Sequence, residues 1–277
     1  MPVVTAVLAL EIFLTGAASG SLGALLGLGG GVFLVPLLNL VFGFPFTVAA
    51  AISLTTVIAT SSSVSAGRTG QQLINLKLGM LLEVATAAGS FLGGITAQFV
   101  AQSLLQKLFG VVAAGVAVVM MTRLQRRNVI LDPNVDPGVL GGRFYEAESR
   151  AVVTYQVKRL PLAVVASFLA GNVSSLLGIG GGIIKVPILN AWCGIPLRAA
   201  AATSAFMIGV TATAGAVIYY GRGQLEPALA AAAVLGVQVG SWGGMRFGAT
   251  APAKWLKVLM AAVLFIVAAM MFMRGGR

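Results

Sequence analysis

The chain reads as long apolar runs separated by short polar stretches, without the strict alternation that marks a half-buried strand. The first run, Pro2 to Leu26, is long enough to cross about 30 Å of hydrocarbon as a helix. It ends in the glycine break Gly27-Leu-Gly-Gly-Gly31. The next run, Val32 to Phe42, is too short to cross alone, so it is either a re-entrant half-helix or the second half of a broken span. Pro45 opens a helix to about Ala66, and spans follow from Leu78 to about Val100 and from Ser103 to Met121.

The plan then repeats. Pro161 to Leu177 leads into a second break, Gly178-Ile-Gly-Gly-Gly182, followed by Ile183 to Cys193, Pro196 to Tyr219, Pro227 to Gly248 and Ala253 to Met273. Adding 151 to a residue number in the first copy gives its partner in the second: Gly29 falls on Gly180, Pro36 on Pro187, Asn39 on Asn190, Ser53 on Ser204 and, with no gap, Gly89 on Gly240. A register held that long marks a duplicated unit. The expected fold is an all-α polytopic membrane protein of two four-helix repeats with glycine-broken or re-entrant helices. The repeats span residues 1–123 and 161–277, and a cytoplasmic linker at 124–160 joins them.

Composition excludes a water-soluble domain. Only 9% of residues are charged and 58% are hydrophobic, with a mean hydropathy of +0.98, whereas soluble domains carry about 25% charged residues. Uninterrupted apolar runs favour helices over an outer-membrane barrel. The net charge of +11 lies largely in loops beside the spans, where it signals topology and attraction to anionic lipid rather than nucleic-acid binding. Seven basic residues between Arg123 and Arg159 place the linker in the cytoplasm, and the β-branched stretch Ala151 to Val157 predicts a strand of a small hairpin.

Four crossings per half put the linker and the C-terminal tail on the same, cytoplasmic side and make the halves parallel repeats. Lys254 and Lys257 then fall at the outer end, against the positive-inside rule. Five crossings per half, which give an inverted repeat, are the alternative. The N-terminal run lacks a basic leader and a cleavage site, so it is read as a retained span.

Cys193 is the sole cysteine and histidine is absent, so neither an internal disulfide nor a cysteine and histidine metal cluster can form. No cofactor is expected. Paired acid and base groups, a serine triad and a nucleotide-binding motif are all missing from the pattern, so an enzyme is not expected either. The chemistry falls instead on the breaks. Glycines let a helix unwind at membrane depth, and the helix start that follows presents free N–H groups to an anion. Gly29, Gly30, Gly31, Gly180, Gly181 and Gly182 are therefore candidate substrate-binding residues, the competing reading being close helix crossing.

Lys185 follows the second break, where the first half has Leu34. An ammonium within the bilayer costs about 2.5 to 3.5 kcal/mol, so it should face a substrate anion or pair with a carboxylate such as Glu83. Arg198 is a candidate vestibule or substrate cation. Asn39 and Asn190 either donate to an anion or tie the backbone together. Ser53, Thr56, Thr203 and Ser204 are neutral donors, unless they bond only to their own helices. Glu11 and Glu83 are the acidic residues within spans and hence candidate coupling groups; Glu83 has Val234 as its partner in the other half.

Leu177-Leu-Gly-Ile-Gly-Gly-Gly-Ile-Ile-Lys-Val-Pro-Ile-Leu-Asn190 and Gly194-Ile-Pro-Leu-Arg-Ala-Ala-Ala-Ala-Thr-Ser204, with their first-half copy and the turn-rich linker, resemble the TauE/SafE family of sulfite exporters and organosulfonate permeases. The resemblance covers nearly the whole chain. It implies a bacterial or archaeal inner-membrane transporter for small sulfur-containing anions. The resulting expectation is a secondary transporter of sulfite, sulfonates or similar oxyanions working by alternating access. An anion channel and a partner-dependent subunit stay open, as does oligomerisation.

Overall fold

The computed structural model describes residues 5–26, 30–68, 73–123, 130, 135–146, 151–248 and 253–275. Gly29 and most of the first glycine break lie outside them, as do linker residues 124–129, 131–134 and 147–150. Ten helices are described: α1 (Ala6–Leu26), α2 (Gly31–Leu40), α3 (Phe46–Arg68), α4 (Leu76–Ala97), α5 (Gln102–Arg123), α6 (Leu160–Leu177), α7 (Gly182–Ala191), α8 (Leu197–Gly221), α9 (Pro227–Gly248) and α10 (Ala253–Arg274). Among the described residues, α1, α3, α4, α6 and α8 carry stretches long and apolar enough to cross a membrane. Proline stands at the start of α6 and α9 and just ahead of α3 and α8, where its missing N–H breaks no helical bond. Asn75 caps α4 by accepting from the Leu78 amide at 3.0 Å.

The halves interleave. Helix α1 of the first packs along α9 of the second, and α6 of the second along α4 of the first, while α3 meets α8 and α5 meets α10. Gly89 faces the Phe168 carbonyl and Gly240 the Ala17 carbonyl, so close that a Cβ at either would collide with backbone. Small residues allow this approach, which substitutes for a hydrophobic driving force within lipid.

Contacts along these pairs fix the helix directions. On α4 and α6, Gly89 faces Phe168 and Gly93 faces Asn172; on α4 and α8, Gly79 faces Thr203 and Gly94 faces Ile218. Both pairs are parallel, so α6 and α8 run the same way and the chain must return between them. Helix α7 is that return leg. It starts beside Ser174 and Ala170 in the later part of α6 and ends where the Cys193 carbonyl accepts from the Lys158 amide, just before α6 begins. Helices α5 and α10, which the 151-residue offset relates, are antiparallel: Gly110 faces Ala268 and Phe272, and Gly275 faces Ser103 and Lys107. Copies that run antiparallel are related by an axis across the helices, not along them.

The parallel-repeat expectation is thereby corrected to an inverted arrangement. Glycine folds the short α7 segment back into the bundle beside α6.

The linker forms the expected hairpin, β1 (Gly142–Glu146) and β2 (Ala151–Tyr155), with Phe144 opposite Val153. Phe144, Val153 and Tyr155 are buried in one cluster with Leu78, Leu82, Ala163, Leu189, Cys193 and Met207. Asn75 anchors the hairpin, donating to the Leu140 carbonyl at 2.8 Å and the Tyr155 hydroxyl at 3.1 Å. Burial pushes the Tyr155 phenol above its usual range, and this bond partly offsets that. At the far end of α4, Gln224 donates to Gln98 at 2.7 Å, and Arg274 donates to the Leu40 carbonyl at 2.9 Å. Hairpin and α10 terminus therefore occupy opposite ends of the bundle. The expectation that both lie on one side is corrected, because each half makes an odd number of passes.

Candidate functional site

The second break is built from left-handed glycines, Gly178 (φ 72°), Gly180 (φ 77°) and Gly181 (φ 65°), a conformation that costs other residues roughly 1 to 2 kcal/mol each. It delivers the start of α7 into the interior, with Gly181 beside Ser174 of α6 and Gly182 beside Ser204 and Ile208 of α8. No side chain caps α7 at Gly181. The Gly182 amide donates to the Gly180 carbonyl at 2.8 Å and the Ile184 amide to the Gly181 carbonyl at 3.2 Å, and the helix start carries the positive end of the dipole.

Around this start the hydroxyls of Ser174 and Ser204 are fully buried and have no hydrogen-bond partner among the described residues. Leaving such a group unsatisfied costs about 1 to 3 kcal/mol. Ser175, also buried and unpartnered, lies next along α6 against Gly215. The helix dipole and the two idle hydroxyls together mark a candidate seat for a small anion.

The first break meets the second here. A Cβ on Gly31 would stand 2.9 Å from the Gly178 carbonyl and 2.7 Å from the Ser53 hydroxyl. Ser53 is already committed, donating to the Gly178 carbonyl at 2.6 Å, and Thr56 donates to the Ser53 carbonyl at 2.7 Å. Ser19 donates to the Gly30 carbonyl, tying α1 to the start of α2. The Thr203 hydroxyl accepts from the Asn75 amide at 3.0 Å, so it joins the linker-side end rather than the break.

Lys185, in the first turns of α7, is 1% exposed. Its ammonium donates to Thr211 Oγ1 at 3.2 Å and lies 4.0 Å from Glu83 Oε2. Thr211 in turn donates to Glu83 Oε1 at 2.8 Å, so a hydroxyl bridges the two charges. Of the two partners foreseen for Lys185, the carboxylate holds it in this structure. Glu83 Oε2 is buried and accepts no hydrogen bond.

The asparagines act on the scaffold. Asn39 donates to the Phe44 carbonyl and Asn190 to the Ile195 carbonyl, both at 2.8 Å and both five residues ahead, closing the turns after α2 and α7. Asn39 also accepts from Gln106 at 2.9 Å. Arg198 is exposed at the first turn of α8, and Glu11 lies on the exposed face of α1; neither reaches the break. No group of three or more acidic, histidine or cysteine side chains suited to a metal occurs among the described residues.

Two site residues escaped the sequence reading. Thr211 is the 151-residue partner of Thr60, which the hydroxyl-rich stretch of α3 displays, so the repeat could have found it. Ser174 has Gly23 as its partner and offers no such signal.

Interleaved apolar helices around an uncapped helix start define an integral membrane protein with a polar centre, the architecture of a membrane transporter. The sequence profile of the sulfite exporter TauE/SafE family matches residues 12–271, and the chain belongs to that family. It is 24% identical over 269 residues to the probable membrane transporter protein YunE of Bacillus subtilis, covering 94% of this chain and 96% of that one. It is 25% identical to the probable membrane transporter protein MJ0441 of Methanocaldococcus jannaschii, covering 95% and 94%. A 65-residue stretch is 46% identical to sulfite exporter TauE/SafE family protein 6 of Arabidopsis thaliana, 24% of this chain and 15% of that one. No solved structure matches.

Proposed function

We propose that the protein is a secondary transporter of small sulfur oxyanions, sulfite or short sulfonates, which bind at the start of α7 and move by alternating access. The observation that carries this reading is the uncapped α7 start facing the unpartnered hydroxyls of Ser174 and Ser204. Gly180 and Gly181 supply backbone amides, Gly182 using its own on the Gly180 carbonyl, and Gly30 and Gly31 bring the first break up to the same seat.

The charge pattern suggests an orientation. Arg68, Lys77, Arg143, Lys158, Arg159 and Arg198 lie at the hairpin end of the bundle, against Lys107, Arg222 and Arg274 at the other. The positive-inside rule then sets the hairpin in the cytoplasm and the start of α1 and end of α10 outside. Lys254 and Lys257, at the start of α10, fall at the cytoplasmic end, which removes the conflict met with four crossings.

The test is thermal stabilisation of the purified protein by sulfite, thiosulfate, methanesulfonate, sulfate, chloride and acetate, followed by counterflow in vesicles. A specific ligand at a hundred times its Kd adds about 2.7 kcal/mol of stability. Saturable stabilisation by a sulfur oxyanion, with counterflow that a channel lacks, is the expected result. Equal response to every anion, with flux equal to that of empty vesicles, rejects the proposal.

A further inference from the structure

Lys185 and Thr211 of the second half and Glu83 of the first form a closed charge cluster near the seat, and it occurs only once. The 151-residue offset gives Leu34 and Thr60 of the first half and Val234 of the second as the corresponding positions. An ion pair kept at this depth has to be netted out by its surroundings, and replacing it by apolar groups is commonly neutral or favourable. The corresponding site at Leu34, Thr60 and Val234 shows that the fold is compatible with the apolar version, so architecture does not call for the pair.

We infer that Glu83 carries a proton with each substrate anion, and that the Lys185 ammonium passes from Glu83 to the anion, which selects monovalent sulfur oxyanions. This rests on the transport reading above. The balance of charge leads to it. With the seat empty, one ammonium and one carboxylate sum to zero. A monoanion entering beside Lys185 leaves the cluster at minus one unless a proton from water binds Glu83, and the loaded cluster is then again neutral. No covalent bond other than that O–H forms or breaks. Glu83 Oε2, buried and without a hydrogen bond, is the oxygen free to take the proton.

Geometry permits the exchange. Lys185 is rooted three residues after Gly182, so its flexible stem hinges beside the seat. Thr211 stands seven residues beyond Ser204 on α8, two turns along the same face, roughly 10 Å at the helical rise. Swinging from one to the other uses the rotatable bonds of the lysine stem. Thr211 can keep its bond to Glu83 or turn to the Met207 carbonyl, 3.0 Å away, so it is not orphaned when the lysine leaves.

Other titratable groups are remote. On α4 the nearest is Lys77 at the helix start; α6 has none between Leu160 and Leu177; α7 has Lys185 alone. Helix α8 has Arg198 and Arg222 at its ends and Tyr219 and Tyr220 in its last turn, with Tyr219 donating to the Ser175 carbonyl at 2.9 Å. Tyr155 and Cys193 share the apolar cluster that covers Leu82 on the hairpin side.

The experiment uses the full chain in vesicles, with methanesulfonate as a fixed monoanion, thiosulfate as a fixed dianion, and sulfite. Internal pH and anion content are followed together. In the wild type, one proton should enter with each methanesulfonate, and an inward gradient of one pH unit should drive up to about tenfold accumulation. Thiosulfate should move at least about tenfold more slowly. Glu83→Gln, which keeps the shape, should lose both proton entry and proton-driven accumulation of methanesulfonate, with its melting point checked beside the wild type.

Proton entry with methanesulfonate in the wild type is a readout that needs no variant to fold. Methanesulfonate or sulfite moving without protons overturns the inference and leaves the transport reading standing. Undiminished coupling in Glu83→Gln, or thiosulfate moving as fast as methanesulfonate, overturns it as well. Vesicles that move none of the three overturn the transport reading and this inference with it.

Discussion

The duplication creates two equivalent sites between the copies: one has Leu34, Thr60 and Val234 where the other joins Lys185, Thr211 and Glu83. Leu34 is fully buried, and Lys185 is almost equally so. Around these positions the copies agree closely. Asn39 and Asn190 close the same turn with the same bond, Pro36 and Pro187 sit at the same place in α2 and α7, and Gly89 and Gly240 admit the same close crossing. Duplication has kept the scaffold twice and the ionic chemistry once. A pseudo-symmetric frame can thus present an asymmetric centre.

The comparison can be broken most severely where the copies agree. Gly89→Leu and Gly240→Leu each force a side chain into a facing carbonyl, and both should abolish folded protein in size-exclusion chromatography. A large difference between the two would mean that the halves do not share their packing. Next in size is the charge that distinguishes them. Lys185→Leu strands a buried carboxylate and should cost about 3 to 5 kcal/mol in denaturation, whereas adding Glu83→Val should recover most of it. The double variant makes this site resemble its counterpart at Leu34, Thr60 and Val234. It should melt near the wild type and no longer bind sulfite or methanesulfonate. A double variant as unstable as the single one would show that the cluster serves the fold.

Smaller effects sharpen the picture. Asn39→Ala and Asn190→Ala should each lower stability by about 1 to 3 kcal/mol in denaturation, since each removes the bond that closes its turn. An unchanged melting point in either would show that its turn-closing bond contributes nothing. Ser53→Ala removes a made bond and should cost about 0.5 to 1.5 kcal/mol. Ser204→Ala removes an unmade one, so the melting point should hold while stabilisation by the preferred anion weakens. A drop in melting point without loss of anion response would place Ser204 in the scaffold.

Much of this was legible in the residues. The 151-residue register exposed both breaks, the paired asparagines and the need of Lys185 for a counter-charge, with Glu83 among the partners named. The number of passes was not legible, because hydropathy weighs α2 and α7 by length and ten residues are too few to cross. What turns the chain back is backbone geometry at Gly178, Gly180 and Gly181, which carries no hydrophobic signal. One clue did exist: Lys254 and Lys257 sat on the wrong side of every four-pass arrangement. The bridging role of Thr211 depends on helices 128 residues apart in sequence coming together. No local pattern encodes that.

The interleaving of α1 with α9 and of α4 with α6 has a bearing on how such a chain enters the bilayer. When the translocation machinery has released the first five helices, the groove of α1 is still empty, and its filler has not been synthesised. A single unit on its own could complete the same contacts only with a sibling inserted upside down. Fusing two units in one polypeptide fixes those opposite insertions once, at the ribosome, and frees each half to diverge. The lone lysine and its glutamate are what that freedom permits.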